Sequence, residues 1–268
     1  MYDSDHRNTH ILIDMNQLLH VALRRSKNED HALTMVLKEL DVTLEAVLSA
    51  ISVQQNNKRR QPNRHTSIVL ALDGPPCAAK IVTQRRRRWN TLNRASTKER
   101  RFSTLAKRGL IYKQKNNNGK SKGHGKTAKK RVSEEATICI TPGTEFMKKA
   151  NMALEFWAWQ RLGNPNGPIA QNKCQIFISS SDIPGEGEVK LLDWVISSSN
   201  DNEKGNRVNQ GVVREGDNLI FMGGDSDLVL EALILPLSIT HNVYVGKFIQ
   251  SVVSISLLTN VVHVIIWI

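Results

Sequence analysis

Four short runs of continuous apolar residues punctuate the chain, and each stops at a turn signal that carries an acid. They are His10–Ile13 followed by Asp14, Ser67–Leu72 followed by Asp73-Gly74, Gln175–Ile178 followed by SSSDIPGEGE, and Asn218–Met222 followed by GGDSD. Between them the spacing turns helical. Leu33, Val36, Leu37, Leu40, Leu44, Val47, Leu48 and Ile51 recur at steps of three and four across 32–51, and 144–161 repeats the pattern behind Pro142. Short helices are also predicted over 189–197 and 228–235. Continuous apolar strands alternating with helices predict an α/β fold with a mainly parallel central sheet flanked by helices on both faces.

In such a sheet the carboxyl ends of the strands border the ligand crevice. Asp14, Asp73, Glu186, Glu188, Asp225 and Asp227 would then meet at one rim. Six carboxylates cannot stay ionised together in a poorly solvated cleft without a compensating cation. An all-oxygen ligand set selects hard ions, Mg²⁺ or Mn²⁺, and two of them suit in-line displacement at phosphorus. Taken singly, each acid has a plainer reading. Asp73-Gly74 alone is an ordinary turn, and Asp225 or Ser226 alone is a helix cap before Leu228. The paired glycines around Glu186 and Glu188 are harder to set aside, because they bring backbone close to a neighbour.

Charge sharpens this picture. The 268 residues carry a formal +12, but Lys58 to Arg131 alone holds 23 Lys and Arg against Asp73 and Glu99, a local +21. A concentration of that size fits a polyanion. Immediately after Asp73, Lys80, Gln84, Arg87 and Arg88 fall on one helical face, donors fit for a terminal phosphate. Arg85 and Arg86 point elsewhere. The stretch 113–131, KQKNNNGKSKGHGKTAKKR, is too polar to fold alone and reads as a disordered basic loop.

Cys77, Cys139 and Cys174 are scattered and lack ligand spacing, which fits a reducing compartment rather than a disulfide scaffold or zinc site. No secretory signal opens the chain, so a nuclear or cytoplasmic location is expected. From Val243 to Ile268 the chain is long and apolar enough to raise a membrane span. Interruption by Ser251, Ser254, Ser256, Thr259, Asn260 and His263, with a Val/Ile bias, favours strands instead, and no membrane partner is expected.

The stretches IDMNQLLH, LDGPPCAAKIVTQRRRRW, ITPGTEFM, ISSSDIPGEGEVKLLDWV and GGDSDLVLEAL, in this order, resemble the N-terminal catalytic region of the XRN-type 5′→3′ exoribonucleases, a branch of the PIN-like/FEN-like metal nucleases. The resemblance covers the chain to about Leu235. It implies that Asp14, Asp73, Glu186, Glu188, Asp225 and Asp227 are the catalytic metal ligands. It further implies that Lys80, Gln84, Arg87 and Arg88 form the 5′-phosphate pocket, and that His20 lies against the first bases. The implied substrate is single-stranded RNA with a 5′-monophosphate, cut to 5′-mononucleotides in RNA decay or processing. The family's next metal-binding aspartate, in a segment like GNDFLP, has no counterpart here. A partial nuclease domain over 1–248 is therefore expected, followed by an apolar tail over 249–268. A catalytically impaired RNA-binding fragment and a structure-selective DNA flap nuclease are the rival readings.

Overall fold

A computed structural model describes residues 7–56, 65–108, 138–200, 212–214, 216–224, 227–235, 240–249, 252–257 and 263–267. The apolar runs are strands: β1 (Thr9–Asp14), β2 (Thr66–Ala71), β3 (Gln175–Ser179) and β4 (Asp217–Met222). Every residue of β1 and β2 is buried, as expected for strands covered on both faces. The helices are α1 (Met15–Arg25), α2 (Glu29–Asn56), α3 (Ala78–Lys107), α4 (Glu145–Leu162), α5 (Pro168–Gln171), α6 (Gly187–Asn200) and α7 (Asp227–Ile234). Thr144 caps α4 by accepting from Met147 N–H, which starts the helix just behind Pro142 and Gly143.

The residues after Pro236 add β5 (Thr240–Ile249), β6 (Val252–Leu257) and β7 (His263–Trp267), in the sheet order β3-β2-β1-β4-β5-β6-β7. The first five strands are mutually parallel, and β6 and β7 join antiparallel. The described segments of the apolar tail are thus strand, and no helix among the described residues is long and apolar enough to cross a membrane. The basic stretch 113–131 lies outside the described residues.

Alternating strand residues feed two cores. Ile11, Ile13, Ile68, Leu70, Ile220 and Met222 face α1, α2 and α4, while Leu12, Val69, Ala71, Leu219 and Phe221 face α6 and α7. On the first side Asp41 of α2 accepts from Trp157 Nε1 at 2.8 Å and from Arg161 Nε at 2.7 Å, tying α2 to α4. Strand order reverses at β1, which lies between β2 and β4. That reversal splays the following connections apart and opens a crevice above the carboxyl ends of β1 and β4.

Candidate active site

The crevice at the strand reversal is a cleft of about 700 Å³ lined by acids from four separate segments. Asp14 closes β1, is buried, and accepts from Asn16 N–H at 3.0 Å, so it caps α1 while facing the cleft. Asp73 follows β2 and accepts from Gly187 N–H at 2.7 Å. Glu186 and Glu188 flank the start of α6, and Asp227 begins α7. Asp225 lies outside the described residues.

Glycines make this closeness possible. A Cβ on Gly187 would sit 2.7 Å from Asp14 Oδ1, and one on Gly74 would sit 1.7 Å from Ile183 O. Gly74 N–H donates to Gly185 O at 2.8 Å, and Gly185 N–H donates to Pro75 O at 3.1 Å. The Asp73 and Glu186 loops are therefore laced together by backbone. Beneath them Lys190, buried, donates through Nζ to Leu72 O and Ser180 O, each at 2.8 Å.

Burial pushes the Asp73 carboxyl above its usual range; the Gly187 N–H opposes this, and the Glu186 charge adds to it. Burial also pulls the Lys190 ammonium down to about 8, against the opposing charges of Asp73 and Asp182. Both shifts have the same origin, charges held in a confined space.

The same cleft also carries basic and amide groups. Lys80, Gln84 and Arg87 of α3 line the cleft together with His20 and Arg24 of α1. Arg88 stands one turn beyond Gln84 and donates through Nη2 to its Oε1 at 3.2 Å. Lys80 Nζ pairs directly with Glu186, and this bond, opposed by slight burial, raises the Lys80 pKa. The expected phosphate donor thus neutralises an expected metal ligand. His20 is shifted down by burial first and by Arg24 second, so its ring is neutral near pH 7. Gln17 Oε1 and His20 Nδ1 are buried and find no hydrogen-bond partner among the described residues, leaving them available to a bound molecule.

Asn16, Gln17, Arg24 and Lys190 were not singled out from sequence. For Arg24 a signal existed: Gln17, His20, Val21 and Arg24 recur at i, i+3, i+4 and i+7 on one face of α1. Lys190 gave none, since its burial depends on β2 and β3 meeting above α6.

The donor set is all oxygen, as a hard divalent ion prefers. Among the described residues, however, no three ligating side chains converge closely enough to hold an ion.

The family model described as XRN 5′-3′ exonuclease N-terminus matches residues 2–245. A protein of Caenorhabditis briggsae named 5′-3′ exoribonuclease 2 homolog is 26% identical over 230 residues, 82% of this chain and 20% of that protein. The 5′-3′ exoribonuclease 2 of Saccharomyces cerevisiae is 29% identical over 181 residues, 68% of this chain and 17% of that protein. That of Cryptococcus neoformans is 31% identical over 135 residues, 48% and 10% respectively. The chain spans between 10% and 20% of the length of the curated relatives it matches.

Proposed function

This chain belongs to the XRN 5′-3′ exonuclease family, whose N-terminal model covers nearly all of it, and we propose that it hydrolyses single-stranded RNA from a 5′-monophosphorylated end. The observation that carries the reading is a single cleft lined both by acids from four segments and by Lys80, Gln84 and Arg87. Hydrolysis of a phosphodiester needs both sets, one to manage the reacting phosphate and one to hold the chain end in register.

Lys80 and Arg87 would take the terminal phosphate, and Arg88 would fix the amide of Gln84 toward it. Lys80 has to exchange Glu186 for phosphate, which frees that carboxylate when substrate arrives. If that basic face takes one phosphate only, it would exclude capped and triphosphorylated ends. His20, neutral at physiological pH, offers a ring face to the first base without adding charge.

Asp14, Asp73, Glu186, Glu188, Asp225 and Asp227 are the residues that would hold Mg²⁺ or Mn²⁺, two ions in this reading. Such ions, when bound, supply counter-charge and Lewis acidity at phosphorus. RNA decay or processing in nucleus or cytoplasm is the setting we infer.

A catalytically silent RNA-binding role is the second reading, favoured by the Lys80–Glu186 pair and by the lack of a closed ligand group among the described residues. Hydrolysis of 5′-phosphorylated and 5′-hydroxyl oligonucleotides across a Mg²⁺ and Mn²⁺ titration separates the two. Asp73→Ala should lose at least about 10²-fold in rate while still binding RNA. Lys80→Ala and Arg87→Ala should lose the preference for phosphorylated ends. Full hydrolysis by Asp73→Ala would contradict the assignment, and no hydrolysis by the parent chain at any metal concentration would favour the silent role.

A further inference from the structure

Helix α3 carries a second set of chemistry on the side turned away from the cleft. At 100° per residue, Lys80, Gln84 and Arg87 occupy an arc of roughly 60°, while Val82, Arg85, Arg86 and Trp89 occupy an arc of roughly 100° centred half a turn away. Trp89 is 65% exposed and Val82 71% exposed, and Arg85 and Arg86 are exposed beside them. No other described element packs extensively against α3. Nor does any acid occur in the sequence between Asp73 and Glu99 to pair with these arginines.

The exposed indole and its two arginine neighbours together define the chemistry that would suit this face. An apolar protein face seated on Trp89 would have to desolvate two guanidinium groups that form no ion pair among the described residues. A single nucleic-acid strand meets both demands at once, since a base stacks on the indole while flanking phosphates release counterions to the arginines. Trp89 is about 14 Å further along the helix axis than Lys80 and on the opposite side of a helix about 10 Å wide. A nucleotide seated in the cleft cannot also reach it.

We propose that Val82, Arg85, Arg86 and Trp89 form a second single-stranded RNA surface on the outer face of α3, which holds a stretch of strand lying outside the cleft. The surface reads backbone and base planes rather than base edges, so it is tolerant of sequence. It rests on the reading of the chain as an RNA-handling protein.

The test is fluorescence anisotropy of the full chain with a 3′-labelled, 5′-hydroxyl oligouridine, in EDTA so that no strand is cut, at several salt concentrations. Trp89→Ala should weaken binding by about fivefold or more. Arg85→Gln with Arg86→Gln should flatten the slope of log K against log salt by about 1.4, the loss of two phosphate contacts to a single strand. Both variants should keep the parent's far-UV spectrum, as side chains this exposed support no core. They should also keep its discrimination between 5′-phosphate and 5′-hydroxyl ends, which Lys80→Ala alters. Wild-type affinity and salt slope in both variants, with end discrimination intact, would overturn the surface alone. A parent chain that does not bind this strand would overturn the surface, while the nuclease reading falls separately, on a lack of metal-stimulated hydrolysis.

Discussion

Gly187 occupies a tight point among the acids, where the first residue of α6 meets a carboxylate from β1. Alanine there cannot keep both Asp14 Oδ1 at 2.7 Å and Ala71 O at 3.4 Å from its new methyl. Asp14 must move or the helix must tilt. We expect Gly187→Ala to lower stability in urea by about 1–3 kcal/mol, as overfilled sites do, and to slow any hydrolysis beyond that loss; an unchanged midpoint would show the site to be looser than described. The paired glycines in PGEGE announced a close approach in sequence, but not what approached, because Asp14 comes from the far end of the chain. Five of the six expected acids are described, and all five line one cleft. The strand-end argument foresaw this because turn chemistry is local. The counter-charges escaped it. Lys80 reaching Glu186 and Lys190 reaching two carbonyls are products of loops laced together in space.

Periodicity located the elements well wherever packing reinforced it. The expected helix over 32–51 extends to Glu29–Asn56, and the expected helix over 144–161 is α4 with Thr144 as its cap. The ambiguity lay in the Val/Ile-rich tail, since hydropathy alone cannot separate a lipid-facing segment from a strand that finds partners. Pairing of β5 with β4, of β6 with β5 and of β7 with β6 makes its described segments strand. What holds α2 to α4 was likewise invisible, as Asp41 sits among ordinary surface charges in sequence. Its carboxylate satisfies the indole N–H of fully buried Trp157 as well as Arg161. Asp41→Ala strands that donor and should cost about 1–3 kcal/mol. Asp41→Asn, which keeps an acceptor for Trp157, should cost clearly less; equal losses in thermal or chemical unfolding would place the effect in the ion pair with Arg161.

At the end of the sheet opposite the cleft, one buried group joins the two central strands. Asp217 accepts from Asn8 N–H at 2.8 Å and Arg214 N–H at 2.9 Å, and shares 3.0 Å with His10 Nε2. Burial works to raise its pKa, but these bonds outweigh that and hold it below the usual 3.8. A carboxyl depressed in the folded state contributes its full stability above the ordinary carboxylate range. That contribution is lost as pH falls below 3.8 toward the lower folded value. Asp217→Asn should therefore be less stable by about 1.5–3 kcal/mol at pH 7 and show a shallower decline below pH 4; an undiminished acid slope would locate the lability in other carboxyls. The same clasp sets a timetable for the newborn polypeptide. β1 finds β2 soon after it is made, but its other margin stays open until β4, some two hundred residues later, has left the ribosome. At ordinary elongation speeds that interval is about 10–40 s, during which a strand destined for full burial waits with one row of amides and carbonyls unsatisfied. Arrested chains ending before residue 217 should be cut by protease within β1, and chains reaching past residue 250 should not, so translation rate would govern yield more than final stability does.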